Sequence, residues 1–147
     1  QNEDQIIEIT RRHGRQDTPR AGKVLSVEDF VKMRETAESV YVDPALERYV
    51  ARLVLATRQP GKFGLANLKE SIDNGASDRA ALALIKASRI RAMMQGRAYV
   101  TDADIKSLAP MVLRHRIKLN HRAGGNTSDA YVQKILLTVR PDPAVGR

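Results

Sequence analysis

The stretch Gly75-Ala76-Ser77-Asp78-Arg79-Ala80 brings together residue types that could handle a phosphate. A serine ahead of an apolar-periodic run reads as a helix N-cap, so Ser77 marks a helix start and Arg79 falls in its first turn. There the backbone N–H groups lack helical partners and the positive end of the dipole is near. Arginine opposes that dipole by roughly a few tenths of a kcal/mol, so helix stability does not explain it. Two explanations stay open. A phosphate would be held by the helix start and by a guanidinium fork that grips two oxygens; alternatively, Arg79 pairs with Asp78 or another acid.

Other chemistry is poorly supplied. A phosphate-binding loop needs glycines followed by lysine and a hydroxyl residue, and neither Gly22-Lys23-Val24 nor Gly61-Lys62-Phe63 provides the hydroxyl. No apolar strand ends in Asp-Glu, so the magnesium carboxylate and base of an ATPase are missing. No catalytic residue is assigned, and ATP hydrolysis by this chain alone is not expected. His13, His115 and His121 fit no i, i+4 ligand pair, and Arg114 and Arg116 flank His115 with charge that opposes a cation. With no cysteine either, disulfides, thiolate metal sites and cysteine nucleophiles drop out together, and no metal site is expected. Asp102 and Asp104 follow Thr101 closely, which makes them capping groups rather than an acid/base pair.

The elements that must position these residues are helical. Glu3 to His13 reads as a helix ending in Arg11, Arg12 and His13, followed by a linker from Gly14 to Lys23. Ser26 and Asp29 form a capping-box variant ahead of Phe30, Met33, Ala37 and Val40, one apolar stripe. Asp43-Pro44 starts a further helix carrying Leu46, Tyr49, Val50, Leu53 and Val54 to about Thr57. Residues 58–75 read as a long loop. The helix after Ser77 places Ala81, Leu84, Ile85, Ser88 and Met94 near one face, with Ala80, Ala83 and Ala87 permitting close approach, and Gly96 ends it. Thr101 and Asp104 box the start of a shorter helix with Ile105, Leu108 and Ala109 inside, which Pro110 interrupts or bends. The run MVLRHRIKL passes from a last helical turn into an extended piece. After Gly124-Gly125, Thr127 or Ser128 opens a final helix with Val132, Ile135, Leu136 and Val139 inside, stopped by Pro141 and Pro143. The expected fold is all-α, a small bundle of about five or six helices with short strands at most.

The chain has 147 residues, 42% hydrophobic and 29% charged, enough for one domain of ordinary size and unlike a disordered or fibrous composition. No apolar run nears the roughly 20 residues of a membrane span, and no signal peptide is visible, so the chain reads as soluble and cytoplasmic. Gln1 is not a methionine, which suits a piece of something longer. A net charge of +8 puts nucleic acid, an anionic nucleotide or an acidic protein surface first among partners.

A resemblance narrows these options. Tyr41-Val42-Asp43, Ala56-Thr57-Arg58, Gly75-Ala76-Ser77-Asp78-Arg79-Ala80, Gly96-Arg97-Ala98-Tyr99-Val100-Thr101 and Val112-Leu113-Arg114-His115-Arg116-Ile117 resemble segments of the MoxR family of AAA+ ATPases. They occur in the order and spacing of that family's C-terminal helical lid, over about Ser26 to Val139. The resemblance implies a lid of AAA+ type over residues 24–147, with residues 1–23 as the tail of a preceding nucleotide-binding core and its linker. It implies that Arg79 is the sensor 2 arginine, a contact to nucleotide phosphates, with Ser77 at the same helix start. Arg114 and Arg116 become secondary candidates for packing or subunit contact. ATP and Mg2+ would belong to the full-length protein, as would a hexameric ring and chaperone-like action on protein clients, some with von Willebrand factor A domains. The family usually has proline where this sequence has Asp78, and a negative charge beside Arg79 works against phosphate attraction.

Two other classes compete. A free-standing basic helical nucleic-acid-binding module would use the residues near Arg11 to Lys23 and Arg114 to Arg122. Against it, the basic residues are spread among helices and aromatics make up only 4% of the chain, too few for base-stacking platforms. A helical adaptor that binds protein only would be indifferent to ATP.

Overall fold

The computed structural model describes residues 3–13 and 22–141. Contacts divide the chain into two compact units, Gln1–Val31 and Lys32–Arg147. The first contains α1 (Glu3–His13), with Ile6, Ile7 and Ile9 exposed. Only Gly22 and Lys23 of the expected linker lie among the described residues, and Pro143 lies outside them. The second helix, α2 (Val27–Ser39), runs across the division. Its capping box forms: Asp29 N–H donates to Ser26 Oγ at 3.0 Å, and the Asp29 carboxylate accepts from Ser26 N–H and Oγ–H. Those bonds hold the exposed Asp29 carboxyl below its usual pKa. The expected stripe on α2 is half wrong. Ala37 and Val40 are buried, but Phe30 and Met33 are 63% and 46% exposed, because the buried cluster begins only at the end of this helix.

In the second unit the main core gathers around α3 (Pro44–Arg58), α4 (Asp78–Met94), α5 (Asp102–Leu113) and α6 (Ser128–Thr138). Asp43 caps α3 by accepting Ala45 N–H at 2.7 Å, with Pro44 at the first helical position. All five expected apolar residues of α3 are buried, and Tyr49 is 1% exposed. Burial pushes the Tyr49 phenol up to about 12. The central helix α4 turns inward much of the expected face, with Leu84 and Ser88 buried, Ala81 and Ile85 partly buried against the core and Ala80 in close approach; only Met94 departs from it. Ala80, Leu84, Ser88 and Ala92 are buried, whereas Met94 is exposed. Spaced four apart and mostly small, they let α4 lie close against α3 and α5. Gly96, at φ 71°, ends α4 in the left-handed conformation that glycine adopts without strain.

Pro110 does not interrupt α5, which continues to Leu113. The chain then makes a short 3-10 turn at Arg114–Arg116 and the strand β2 (Lys118–Leu119). The long loop at 58–75 also proves structured. It holds 3-10 turns at Pro60–Phe63 and Ala66–Ser71, and then β1 (Ile72–Asn74), which pairs antiparallel with β2 in register Ile72 to Leu119. Leu65 and Leu68 are buried from this stretch, so apolar anchoring organises what polarity and glycines disguised. Thr127 caps α6 by accepting Ala130 N–H, and Tyr131, Val132, Ile135 and Val139 are buried there. The architecture is a six-helix all-α fold with one two-stranded sheet among the described residues. No helix among them is long and apolar enough to cross a membrane.

Candidate functional site

The C-terminal end of α3 and the residues ahead of α4 meet through Thr57, Arg58, Gly75 and Ala76. The Thr57 hydroxyl, fully buried, donates to Val54 O at 2.7 Å and accepts Ala76 N–H at 2.9 Å. Arg58 Nε donates to Ala76 O at 2.5 Å, and its Nη2 reaches the Asp78 carboxylate at 2.7 Å. Both backbone polar groups of Ala76 are thereby satisfied by side chains of α3. Such intimacy requires glycine at 75: a Cβ there would stand 2.5 Å from Thr57 O and 2.8 Å from Arg58 Cγ. Two segments singled out separately in the sequence, Ala56-Thr57-Arg58 and Gly75 to Ala80, are thus a single structural unit.

Arg79 lies on the exposed side of the first turn of α4 and makes no hydrogen bond or ion pair among the described residues. Asp78, the acid that could have occupied it, is bonded to Arg58 instead. Of the two explanations left open by the sequence, local pairing of Arg79 is therefore not the one adopted. Ser77 occupies the N-cap position with extended backbone, but its side chain makes no capping bond. The expected hydroxyl cap is absent because residues 75–76 are already fastened to α3, which sets the helix entry without it. Beside Arg58 an open cleft of about 360 Å3 is lined by Arg58, Gln59, Pro60, Gly61, Lys62 and Lys69, with no acid among them. A larger cleft, about 600 Å3, is lined by residues of α5 and α6 with Arg140 and Pro141, and holds none of the candidate residues.

A second arginine–aspartate centre forms where α4 leads into α5. Asp104, 2% exposed, receives Arg97 on both oxygens at 2.8 and 2.9 Å and has Arg91 Nε at 3.3 Å. It also accepts Thr101 N–H and Oγ–H, while Thr101 Oγ accepts Asp104 N–H, a complete capping box. Burial would raise the Asp104 pKa, but the bonds from Arg97 and Thr101 outweigh it and hold it below the ordinary carboxylate value. The same bonding raises Arg97 further. Asp102 pairs with Lys106 at 2.7 Å. Asp104 thus caps the helix start as its spacing after Thr101 suggested, whereas Asp102 makes no capping bond and is held by Lys106 one turn on.

Arg114 faces Asp129 at 3.7 Å across to α6, and Arg116 donates to Val112 O at 2.5 Å, closing the end of α5, and also contacts His115. Neither is bonded to the start of α4. Both make these contacts with residues of α5, α6 and the turn between α5 and β2. Among the described residues no group of three His, Asp or Glu side chains could hold a metal ion. Sequence reasoning passed over Thr57 and Arg58 as individual residues. The available signal was an arginine in the last turn of one helix and an aspartate in the first turn of a later one, two charges free to meet if those ends met.

Comparison with known proteins gives this geometry a family. Residues 65–135 match the AAA lid domain. Chaperone MoxR1 of Mycobacterium tuberculosis is 37% identical over 123 residues, covering 82% of this chain and 33% of that protein. The uncharacterised protein YeaC of Bacillus subtilis is 32% identical over 80% of this chain and 34% of its own length. Protein MoxR of Methylorubrum extorquens is 32% identical over 62% of this chain. The chain therefore spans about a third of the length of the curated relatives it matches. A crystal structure from Cytophaga hutchinsonii, of a protein provisionally described as an ATPase, superposes with a TM-score of 0.83 at 32% identity, covering 95% of this chain and 43% of that one. These matches join the fold and the motif geometry in one conclusion: the chain belongs to the MoxR family, as its AAA lid domain.

Proposed function

We propose that this lid supplies Arg79 as the sensor 2 contact to the phosphates of ATP held by a nucleotide-binding core, and so couples hydrolysis to remodelling or activation of client proteins. The observation that carries this reading is the unpaired guanidinium of Arg79 at the helix start, with the neighbouring acid engaged elsewhere. The residues suit a phosphate: the positive helix end and a residue carrying a planar fork of donors lie in the same first turn. ATP with Mg2+ would supply the reactive phosphoryl group, bound by the core. Within this chain, Arg79 binds and orients, and Ser77 offers a hydroxyl with no capping duty. Loss of the terminal phosphate would release Arg79 and let the lid rotate.

In this reading residues 24–147 are the lid and 1–23 join it to the core. The whole protein works in the cytoplasm as a ring, by expectation a hexamer, on clients that include proteins with von Willebrand factor A domains. Replacing Arg79 with alanine in the full-length protein is expected to lower ATP turnover at least about tenfold, as for loss of one preorganised charge donor, with the circular dichroism and thermal midpoint kept. Wild-type turnover in that variant would remove Arg79 from the mechanism.

A further inference from the structure

The two ends joined by Arg58 raise a question of charge. Asp78 is the first residue of α4, 92% exposed at its side chain, where a carboxylate is itself attracted to the free N–H groups and the positive dipole. An untethered Asp78 would therefore compete with a phosphate for the same helix start and repel it from Arg79. Its side chain diverges from that of Arg79, as consecutive helical residues do, so competition acts through the shared site and not through a direct pair. In the structure the carboxylate is drawn to Arg58 at 2.7 Å, and Arg58 is anchored by its Nε bond to Ala76 O and by its place on α3. Arg79 has no partner among the described residues.

We propose that Arg58 is a positioning residue for the phosphate contact: it holds and neutralises Asp78, leaving Arg79 and the start of α4 open to an oxyanion. This rests on the reading of Arg79 as the phosphate contact. The exposure of the pair argues in its favour, because an ion pair this accessible to water adds little to stability. Its consequence is local: it decides which charge a ligand meets at the helix start.

The test is a charge-rescue cycle in the full-length protein, measuring Kd for ATPγS, KM and kcat for ATP, and the thermal midpoint. Arg58→Ala is expected to weaken ATPγS binding about three- to tenfold, the effect of one uncompensated charge near a phosphate site. Arg58→Gln, which keeps a donor for Ala76 O but no charge, should weaken it by a similar factor, so that misfolding is separated from charge. Adding Asp78→Asn to either variant should bring Kd back to within about twofold of wild type. Asp78→Asn alone should bind ATPγS up to about threefold more tightly, since Arg58 then adds uncancelled positive charge.

Equal impairment of Arg58→Gln and of Arg58→Gln/Asp78→Asn would overturn the proposal, as would unchanged binding in Arg58→Ala. Arg79→Ala, run alongside, separates the two claims. If that variant binds and turns over ATP like wild type, the phosphate reading fails and takes this inference with it. If it is defective and the rescue is absent, only the role of Arg58 fails.

Discussion

Two arginine–aspartate centres flank α4, and they are built oppositely. At its start, Arg58 and Asp78 meet in water, with side chains 33% and 92% exposed. After its end, Arg97 and Asp104 meet with 23% and 2% exposed, Thr101 completes the hydrogen bonds to the carboxylate, and the charge of Arg91 stands 3.3 Å away. The same two residue types thus do different work. A buried carboxylate must keep every partner or leave an uncompensated charge, so the Asp104 centre is bound up with folding. An exposed pair can be broken at little cost to the fold, so the Arg58–Asp78 pair is available to shape what a ligand meets.

Breaking the buried centre should have the largest effect. Asp104→Ala in this chain is expected to lower unfolding stability by about 3 kcal/mol in urea titration, toward the lower end for a broken buried pair because Arg97 and Arg91 keep contact with water. The pH dependence sharpens the point. The folded pKa of Asp104 lies below the ordinary carboxylate value, so its stabilisation is present above that value and lost as pH falls through the folded pKa. The stability gap between wild type and Asp104→Asn should accordingly narrow below about pH 4. A gap that stays constant on acidification would show that the charge of Asp104 is not what matters.

Next in size is Gly75→Ala, which forces a Cβ against the Thr57 carbonyl and should cost about 2 kcal/mol. Its thermal midpoint tests the close approach of the two ends; an unchanged midpoint would mean that the junction can open without loss. Thr57→Val keeps the shape and removes the hydroxyl that receives Ala76 N–H, leaving a buried donor unpaired for about 1–2 kcal/mol. Asp78→Asn should move stability by less than about 0.5 kcal/mol. If it proved as damaging as Asp104→Ala, the contrast between the two centres would collapse.

Much of the scaffold could be read from local chemistry. Asp43-Pro44 and Thr101 with Asp104 announced α3 and α5 because their capping bonds lie within a few residues of chain. Residues 58–75 were illegible as structure for the opposite reason. Their order depends on burying Leu65 and Leu68 and on partners far along the chain, with Asn120 donating to Glu70 O and Asp73, and Arg122 reaching Glu70. Arg79 was legible as a candidate because its type conflicts with its place in the helix. The fates of Ser77 and Asp78 were not, since both follow from a junction between residues 57–58 and 75–78 that no local pattern encodes. On α4 the reading went astray only toward the C-terminal end, where Ala92 is buried in place of Met94, since a small residue carries little hydrophobic signal but allows close packing.

The junction at the end of α3 has a counterpart at its beginning. Tyr41, just ahead of α3, donates its N–H to Ala98 O at 2.9 Å and accepts Val100 N–H at 3.0 Å, just beyond α4. The two helices are therefore pinned to each other at both ends, by main-chain bonds at one and by Thr57 and Arg58 at the other. Mechanically, this makes a braced frame. Shear of α4 along α3 would have to break both pins, so a load applied to the first turn of α4 is carried through α3 as torque on the whole frame instead of being spent in sliding one helix past the other.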